Sequence, residues 1–215
     1  YVETISKHLI DKIEYEKIYA KIPELPFSNA WIAQNIISKI PENSVLLLGI
    51  LNTLRTWNYF EEPQSVLGYS NTGGFGIDGC VSSLIGASLG EPDKLFFGVV
   101  GDLAFFYDMN AIGNRHVGHN VRLMVINNGR GTEFSNYGHQ GAKFGDDADK
   151  YIAAAGHYGR KSHLLLKHYA EDLGFEYLSA CNKEEFLKIY ERVTSSTITS
   201  NPLFFEIFIE SEDDS

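Results

Sequence analysis

Two apolar runs constrain this chain more than anything else in it. Leu95-Phe96-Phe97-Gly98-Val99-Val100 leads into Gly101-Asp102, and Val121-Arg122-Leu123-Met124-Val125-Ile126 leads into Asn127-Asn128-Gly129. Both runs are rich in β-branched and aromatic residues and are bounded by turn formers, so they read as buried strands. The stretch between them is long enough for a crossover helix, which makes the pair a βαβ unit. In such a unit both strands finish on the same edge of the sheet. That edge then carries a carboxylate, Asp102, beside an amide oxygen, Asn128, next to glycines that let a ligand approach the backbone.

The rest of the chain repeats the alternation. Strands are expected at Val45 to Gly49, Val66 to Tyr69, Phe175 to Leu178 and Leu203 to Ile209. Helices are expected at Asn29 to Ile40, Leu51 to Phe60, Cys80 to Leu89, near Ala104 to Arg115, at Lys161 to Leu173 and at Lys183 to Val193. Ser28 is placed to cap the first of these helices, and Asn182 with Glu185 forms a possible capping box for the last. Six strands alternating with helices give an α/β fold, a doubly wound and mainly parallel sheet with helices on both faces. Residues 1–27 read as a helical lead-in and linker, and 28–215 as the main domain. Thr132 to Asp149 is polar, glycine-rich and without period, and so reads as a long loop.

Composition narrows the function. A formal charge of −10 speaks against nucleic-acid binding, which wants a basic face. No apolar stretch of about 18 residues is present, so no membrane span is expected and the chain reads as soluble and cytoplasmic. Cys80 and Cys181 read as buried thiols of a reducing compartment. The chain starts at Tyr1 without an initiator Met, which suggests part of a longer polypeptide.

The motifs admit more than one reading. Gly74-Phe75-Gly76-Ile77-Asp78-Gly79 fits the glycine pattern of a dinucleotide site, which would make this an NAD- or nucleotide-binding domain, catalytic or not. That fingerprint belongs on the first strand of its fold, however, with an acid soon after, and here a strand precedes it. Glycines serving a tight turn are the plain alternative. Asp102 alone reads as a helix cap; the adjacent amides of Asn127 and Asn128 are harder to explain by packing. Asp102 with Asn128 suits a hard cation holding a diphosphate. The spacing of His116 and His119 allows a metal, but no cysteine or carboxylate completes a zinc set. His139 and His157 flank the long loop and are candidates for substrate contact.

Gly101-Asp102-Leu103, followed one crossover later by Asn127-Asn128, resembles the cofactor motif of thiamine diphosphate-dependent enzymes, in the domain that binds the diphosphate, usually C-terminal. Within them the chain is most similar to SEPHCHC synthases of the menaquinone pathway. That group has leucine where most relatives have the motif's second glycine. It also shows sequences like Tyr107-Asp108-Met109-Asn110-Ala111, and Asn71 with Gly76-Ile77-Asp78-Gly79 upstream. The resemblance runs from about Ser28 to Asp213.

It implies that Asp102, the Asn128 side-chain oxygen and the Arg130 backbone carbonyl ligate Mg²⁺, with diphosphate oxygens and water completing the shell. It implies that Gly101 and the N–H groups of Leu103 and Ala104 meet the diphosphate. Ile77 would bend the cofactor, and the backbone around Phe75, Gly76 and Ile77 would meet its pyrimidine. Arg55 matches an arginine that grips a substrate carboxylate, although on its own it reads equally as a solvated helix residue. The group also has an arginine where this chain has Thr72, and asparagine and serine at Ile50 and Leu51, which leaves the menaquinone-pathway substrate open. The activating glutamate would sit on a pyrimidine-binding domain or subunit that this chain lacks. The chain alone is therefore expected to be inactive, and the complete enzyme to be a homodimer or homotetramer acting on a small 2-oxo acid as decarboxylase or carboligase.

Overall fold

The computed structural model describes residues 17, 24–74, 76–135, 138–152 and 161–210. The lead-in expected over 1–27 lies mostly outside them. In chain order the elements are α1 (Asn29–Ile36), β1 (Val45–Leu48), α2 (Asn52–Trp57), β2 (Leu67–Ser70), α3 (Cys80–Gly90), β3 (Phe96–Gly101), α4 (Asp102–Asp108), β4 (Val121–Asn127), α5 (Asp146–Tyr151), α6 (Leu165–Asp172), β5 (Glu176–Ala180), α7 (Lys183–Val193) and β6 (Leu203–Phe208). The six strands form one sheet in the order β2-β1-β3-β4-β6-β5, and every pairing in it is parallel.

Period-two alternation splits each central strand between two cores. Leu46, Leu48, Phe97, Val99, Met124, Ile126, Phe205 and Ile207 face one side, under Trp31 and Ile36 of α1, Trp57 of α2 and Phe186 of α7. Val45, Leu47, Phe96, Val100, Leu123, Val125 and Phe204 face the other, under Leu84 of α3, Phe105 of α4 and Leu166 of α6. The assignment of helices to faces follows from handedness. The chain steps from β1 outward to β2, then reverses and crosses β1 to reach β3. With every crossover right-handed, the reversal must put α2 and α3 on opposite faces. A second reversal, from β5 back to β6, returns α7 to the face of α2.

Several boundaries differ from expectation for local reasons. The helix expected to start at Leu51 starts at Asn52, because Leu51 adopts φ 74, outside the helical region. Past Ile36 and Asp108 the chain tightens into short 3₁₀ turns, Ile37–Lys39 and Met109–Gly113, so the first and fourth helices are shorter than their periodic patterns. The stretch read as a long loop holds two 3₁₀ turns, Thr132–Ser135 and Gln140–Phe144, and then α5. The second turn is capped by His139, whose Nδ1 accepts from the Gly141 N–H at 2.9 Å. Ser28 caps α1 as expected, accepting from the Trp31 N–H. At α7, Asn182 accepts from the Glu185 N–H at 2.9 Å, but the Glu185 carboxylate reaches back to the N–H of Cys181 rather than to that of Asn182. Among the described residues no helix is long and apolar enough to cross a membrane.

The cysteines correct one expectation. Cys80 is buried, but Cys181 is exposed, because it lies beyond the end of edge strand β5. Burial pushes the Cys80 thiol up. At Cys181 the Glu185 carboxylate, 3.1 Å from Sγ, does the same. A disulfide reagent should therefore titrate one thiol in the native protein and two after denaturation. The native reaction should speed up as pH rises and the Cys181 thiolate forms.

Gly98 shows how closely α3 lies on the sheet. A Cβ there would stand 2.4 Å from Cδ2 of Leu84, which is itself 1% exposed and packed on all sides. Gly98→Ala should cost about 1–3 kcal/mol, read as a lower urea midpoint at unchanged slope.

Candidate functional site

Where β1 and β3 lie side by side, the helices that leave them go to opposite faces of the sheet. A crevice opens between the two departures, at the carboxyl ends of the strands, the place where open α/β sheets bind ligands. It holds a cleft of about 290 Å³, lined on one side by Ile50, Leu51, Asn52 and Thr53 and on the other by Gly101, Asp102, Leu103 and Ala104. Asn128, Arg130 and Ile77 close it.

Asp102 is the first residue of α4 and is 1% exposed. It is not the helix cap, a place taken by Gly101. Its Oδ1 accepts from the Leu103 N–H at 2.9 Å, and its Oδ2 accepts from the Gly129 N–H at 2.8 Å. The second bond ties the end of β3 to the turn that follows β4. In that turn Asn128, 8% exposed, accepts from the Arg130 N–H at 3.2 Å. The carboxylate of Asp102 and the side-chain oxygen of Asn128 thus stand at the ends of neighbouring strands, both oxygen groups of the kind a hard cation takes as ligands.

Gly101 supplies an independent indication. Its backbone, φ −70 and ψ 158, suits any residue, and a Cβ built on it meets nothing within 4 Å. Neither strain nor packing explains a glycine there. The open space beside its Cα leaves the backbone accessible from the cleft. Leu103, where the motif more often has glycine, turns its side chain toward Gly131, whose Cβ would stand 3.2 Å from Leu103 Cδ2.

Ile77 lies partly buried against the core beneath α3 and also lines the cleft. The loop carrying it is held by Asn71, whose Nδ2 donates to the Gly76 carbonyl at 2.7 Å. Phe75 lies outside the described residues, as does His157. The glycine loop follows edge strand β2, one strand away from the crevice, and Gly79, with φ 84, caps α3. Gly76 takes its place through Asn71 and does not line the cleft.

Arg55 sits on α2 with its side chain 55% exposed and paired at 2.5 Å to Glu133, which lines the cleft. Arg130 is likewise bonded to Asp149, at 3.0 and 3.2 Å. Both basic side chains thus already hold carboxylates.

Sequence reasoning missed a group behind the turn. Glu206, 1% exposed in the middle of β6, accepts from Asn127 Nδ2 and from the Tyr177 hydroxyl, each at 2.7 Å. Burial pushes its carboxyl up; the two donors oppose the shift and the charge of Asp102 adds to it. Burial and Glu206 also push the Tyr177 phenol up. The signal was an acid inside the apolar run Leu203-Phe204-Phe205-Glu206-Ile207, a position few acids occupy without a partner.

No protein-family model matches the chain. It is 34% identical over 86% of its length to the 2-succinyl-5-enolpyruvyl-6-hydroxy-3-cyclohexene-1-carboxylate (SEPHCHC) synthase of Christiangramia forsetii, and 31% identical over 97% to that of Bacteroides thetaiotaomicron. It spans 30% and 37% of those proteins, about a third. Its fold matches that of the thiamine diphosphate-dependent 4-hydroxybenzoylformate decarboxylase of Rhodococcus jostii with a TM-score of 0.61, at 16% identity, over 88% of this chain and 34% of that one. The chain is thus similar in sequence to SEPHCHC synthases over about one third of their length, and in fold to a thiamine diphosphate-dependent decarboxylase, in line with the resemblance carried by Asp102 and Asn128.

Proposed function

We propose that this chain is the diphosphate- and Mg²⁺-holding domain, residues 28–215, of a thiamine diphosphate-dependent enzyme that decarboxylates a 2-oxo acid or transfers the resulting fragment to an acceptor. The observation that carries this reading is the Gly129-to-Asp102 hydrogen bond, 2.8 Å, which joins the two halves of the motif at the mouth of the crevice.

In this reading Asp102, the Asn128 side-chain oxygen and the Arg130 carbonyl hold Mg²⁺. Ala104 N–H meets the diphosphate, and Leu103 N–H does so while shared with Asp102. Gly101 lets the diphosphate lie against the chain, and Ile77 supports the cofactor from below. Thiamine diphosphate, when bound, supplies a nucleophilic carbon and an electron sink. This chain's residues supply binding and orientation and contribute no acid or base at the reacting carbon. The activating glutamate belongs to a pyrimidine-binding domain or subunit, so the chain alone is inactive, and the complete enzyme is a homodimer or homotetramer. Arg55 is a candidate for the substrate carboxylate only if Glu133 releases it. Ile50 and Leu51 favour an apolar substrate surface at that end of the cleft.

Calorimetry tests the reading. With its pyrimidine-binding partner the chain should bind thiamine diphosphate in the presence of Mg²⁺, lose that binding with a chelator, and show none for NAD; alone it should bind the cofactor weakly. Asp102→Ala should weaken binding by at least about tenfold. Gly101→Val should do the same, because the open space beside its Cα lies on the cleft. Equal binding by Asp102→Ala and wild type, or binding indifferent to the metal, sinks the proposal.

A further inference from the structure

Glu206 is an expensive residue where it stands. It lies in the middle of a parallel sheet, between Val125 of β4 and Ser179 of β5, and neither of its two donors is a cation. Asn127, its partner on β4, is 0% exposed, and the Asn127 Oδ1 has no hydrogen-bond partner among the described residues. Burying a carboxyl and an incompletely satisfied amide costs stability that a pair of apolar residues would not. The cost has a use if the pair holds something in place.

What it holds is the end of β4. The Asn127 carbonyl accepts from the Ile209 N–H at 3.1 Å, and its side-chain amide donates to Glu206, so this residue is fixed to β6 through both backbone and side chain. The next residue is Asn128, and the one after it, Gly129, donates to Asp102. The hydroxyl of Tyr177, from β5, fixes the other oxygen of Glu206. Three adjacent strands thereby converge on the last residue of β4, just before the turn.

We propose that Glu206, backed by Tyr177, is a positioning residue: it clamps Asn127 so that the Asn128-Gly129 turn is already seated against Asp102 before a metal ion arrives. The clamp itself is independent of the ligand's identity; its relevance to cofactor affinity rests on the Mg²⁺ and thiamine diphosphate reading above. A preset turn binds more tightly than one that must be ordered on binding, because less freedom is lost.

The test uses the 215-residue chain with Glu206→Gln, Glu206→Leu and Tyr177→Phe, and has two readouts. The first is amide hydrogen exchange, without ligand. Glu206→Leu should speed exchange at Gly129 and Arg130 by about tenfold relative to amides of β1 and β3, which a general loss of stability would move together. Glu206→Gln keeps an acceptor for Asn127 and should stay near wild type. Tyr177→Phe should give a smaller acceleration at the same two amides, and it decides the matter if Glu206→Leu does not fold. The second readout is Mg²⁺-dependent thiamine diphosphate affinity, expected to fall about tenfold in Glu206→Leu and to be restored in Glu206→Gln. Uniform change across the sheet, no selective change at Gly129 and Arg130, or Glu206→Gln failing as badly as Glu206→Leu overturns the clamp. Wild type that binds no thiamine diphosphate overturns the cofactor reading instead, and the exchange result still decides the clamp.

Discussion

The reversal of winding between β1 and β3 is what the site depends on. A parallel sheet wound in one direction would carry all its crossover helices on one face, and the carboxyl ends of its strands would be crowded by helices departing the same way. Because this chain goes out to β2 and comes back across β1, α2 and α4 depart to opposite faces and leave a space between them. β1 and β3 border it, and Ile126 of β4 with the turn after it closes the far side. The residues at those two strand ends, Gly49 to Asn52 and Gly101 to Ala104, can face a ligand without being displaced from a core. Gly49 is held close: a Cβ there would stand 3.2 Å from the Val99 carbonyl, so the two strands meet almost backbone to backbone just beneath the cleft.

Within that space Asp102 solves a problem of polar accounting. A carboxylate with 1% exposure needs donors, and the start of a helix has N–H groups without intrahelical partners. One of these, from Leu103, goes to Oδ1; the turn after β4 supplies the other through Gly129. The carboxylate is therefore oriented by protein groups alone. The same bond makes β4's turn depend on β3, and Glu206 makes it depend on β6. The polar groups at the sheet edge thus form one connected chain from Tyr177 to Leu103, rather than a set of isolated pairs.

How much of this was visible in the sequence depended on where burial was complete. β3, β4 and β6 are covered on both faces, so their apolar runs announced them and their polar ends marked the edge. β2 is an edge strand with Leu67 and Tyr69 exposed, and it is short; turn residues signalled it more than hydrophobicity did. Cys181 was misread because sequence context next to a strand does not reveal that the strand is an edge. Thr132 to Asp149 reads as loop in the sequence because its 3₁₀ turns and the start of a short helix leave little periodic trace, and the first turn is organised by contacts outside the segment, Asn52 with Thr132 and Arg55 with Glu133. Asp102 and Asn128 were legible because chain position and chemistry agreed. Glu206 was present in plain view, but its partners come from strands far apart in sequence, and a strand pattern alone assigns it no role.

Leu51 extends the same logic to the other wall of the cleft. A leucine at φ 74 is strained by roughly 1–3 kcal/mol, and such strain persists only where surrounding contacts over-determine it. Here they do: the Gly49 N–H donates to Val99 at 2.7 Å, and the Leu54 N–H donates back to the Gly49 carbonyl at 3.0 Å, so the chain must turn within two residues to enter α2. The strained turn seats Ile50 and Leu51 in the cleft lining and starts α2 at Asn52, which bonds Thr132. The resemblance to the SEPHCHC synthase group implies polar residues in that group where this chain has Ile50 and Leu51. With the backbone already committed by the sheet, exchanging those side chains alters the chemistry of the cleft without moving its walls. A fold of this kind can therefore keep one wall constant, at Asp102 and Asn128, while the facing wall changes the chemistry presented beside it.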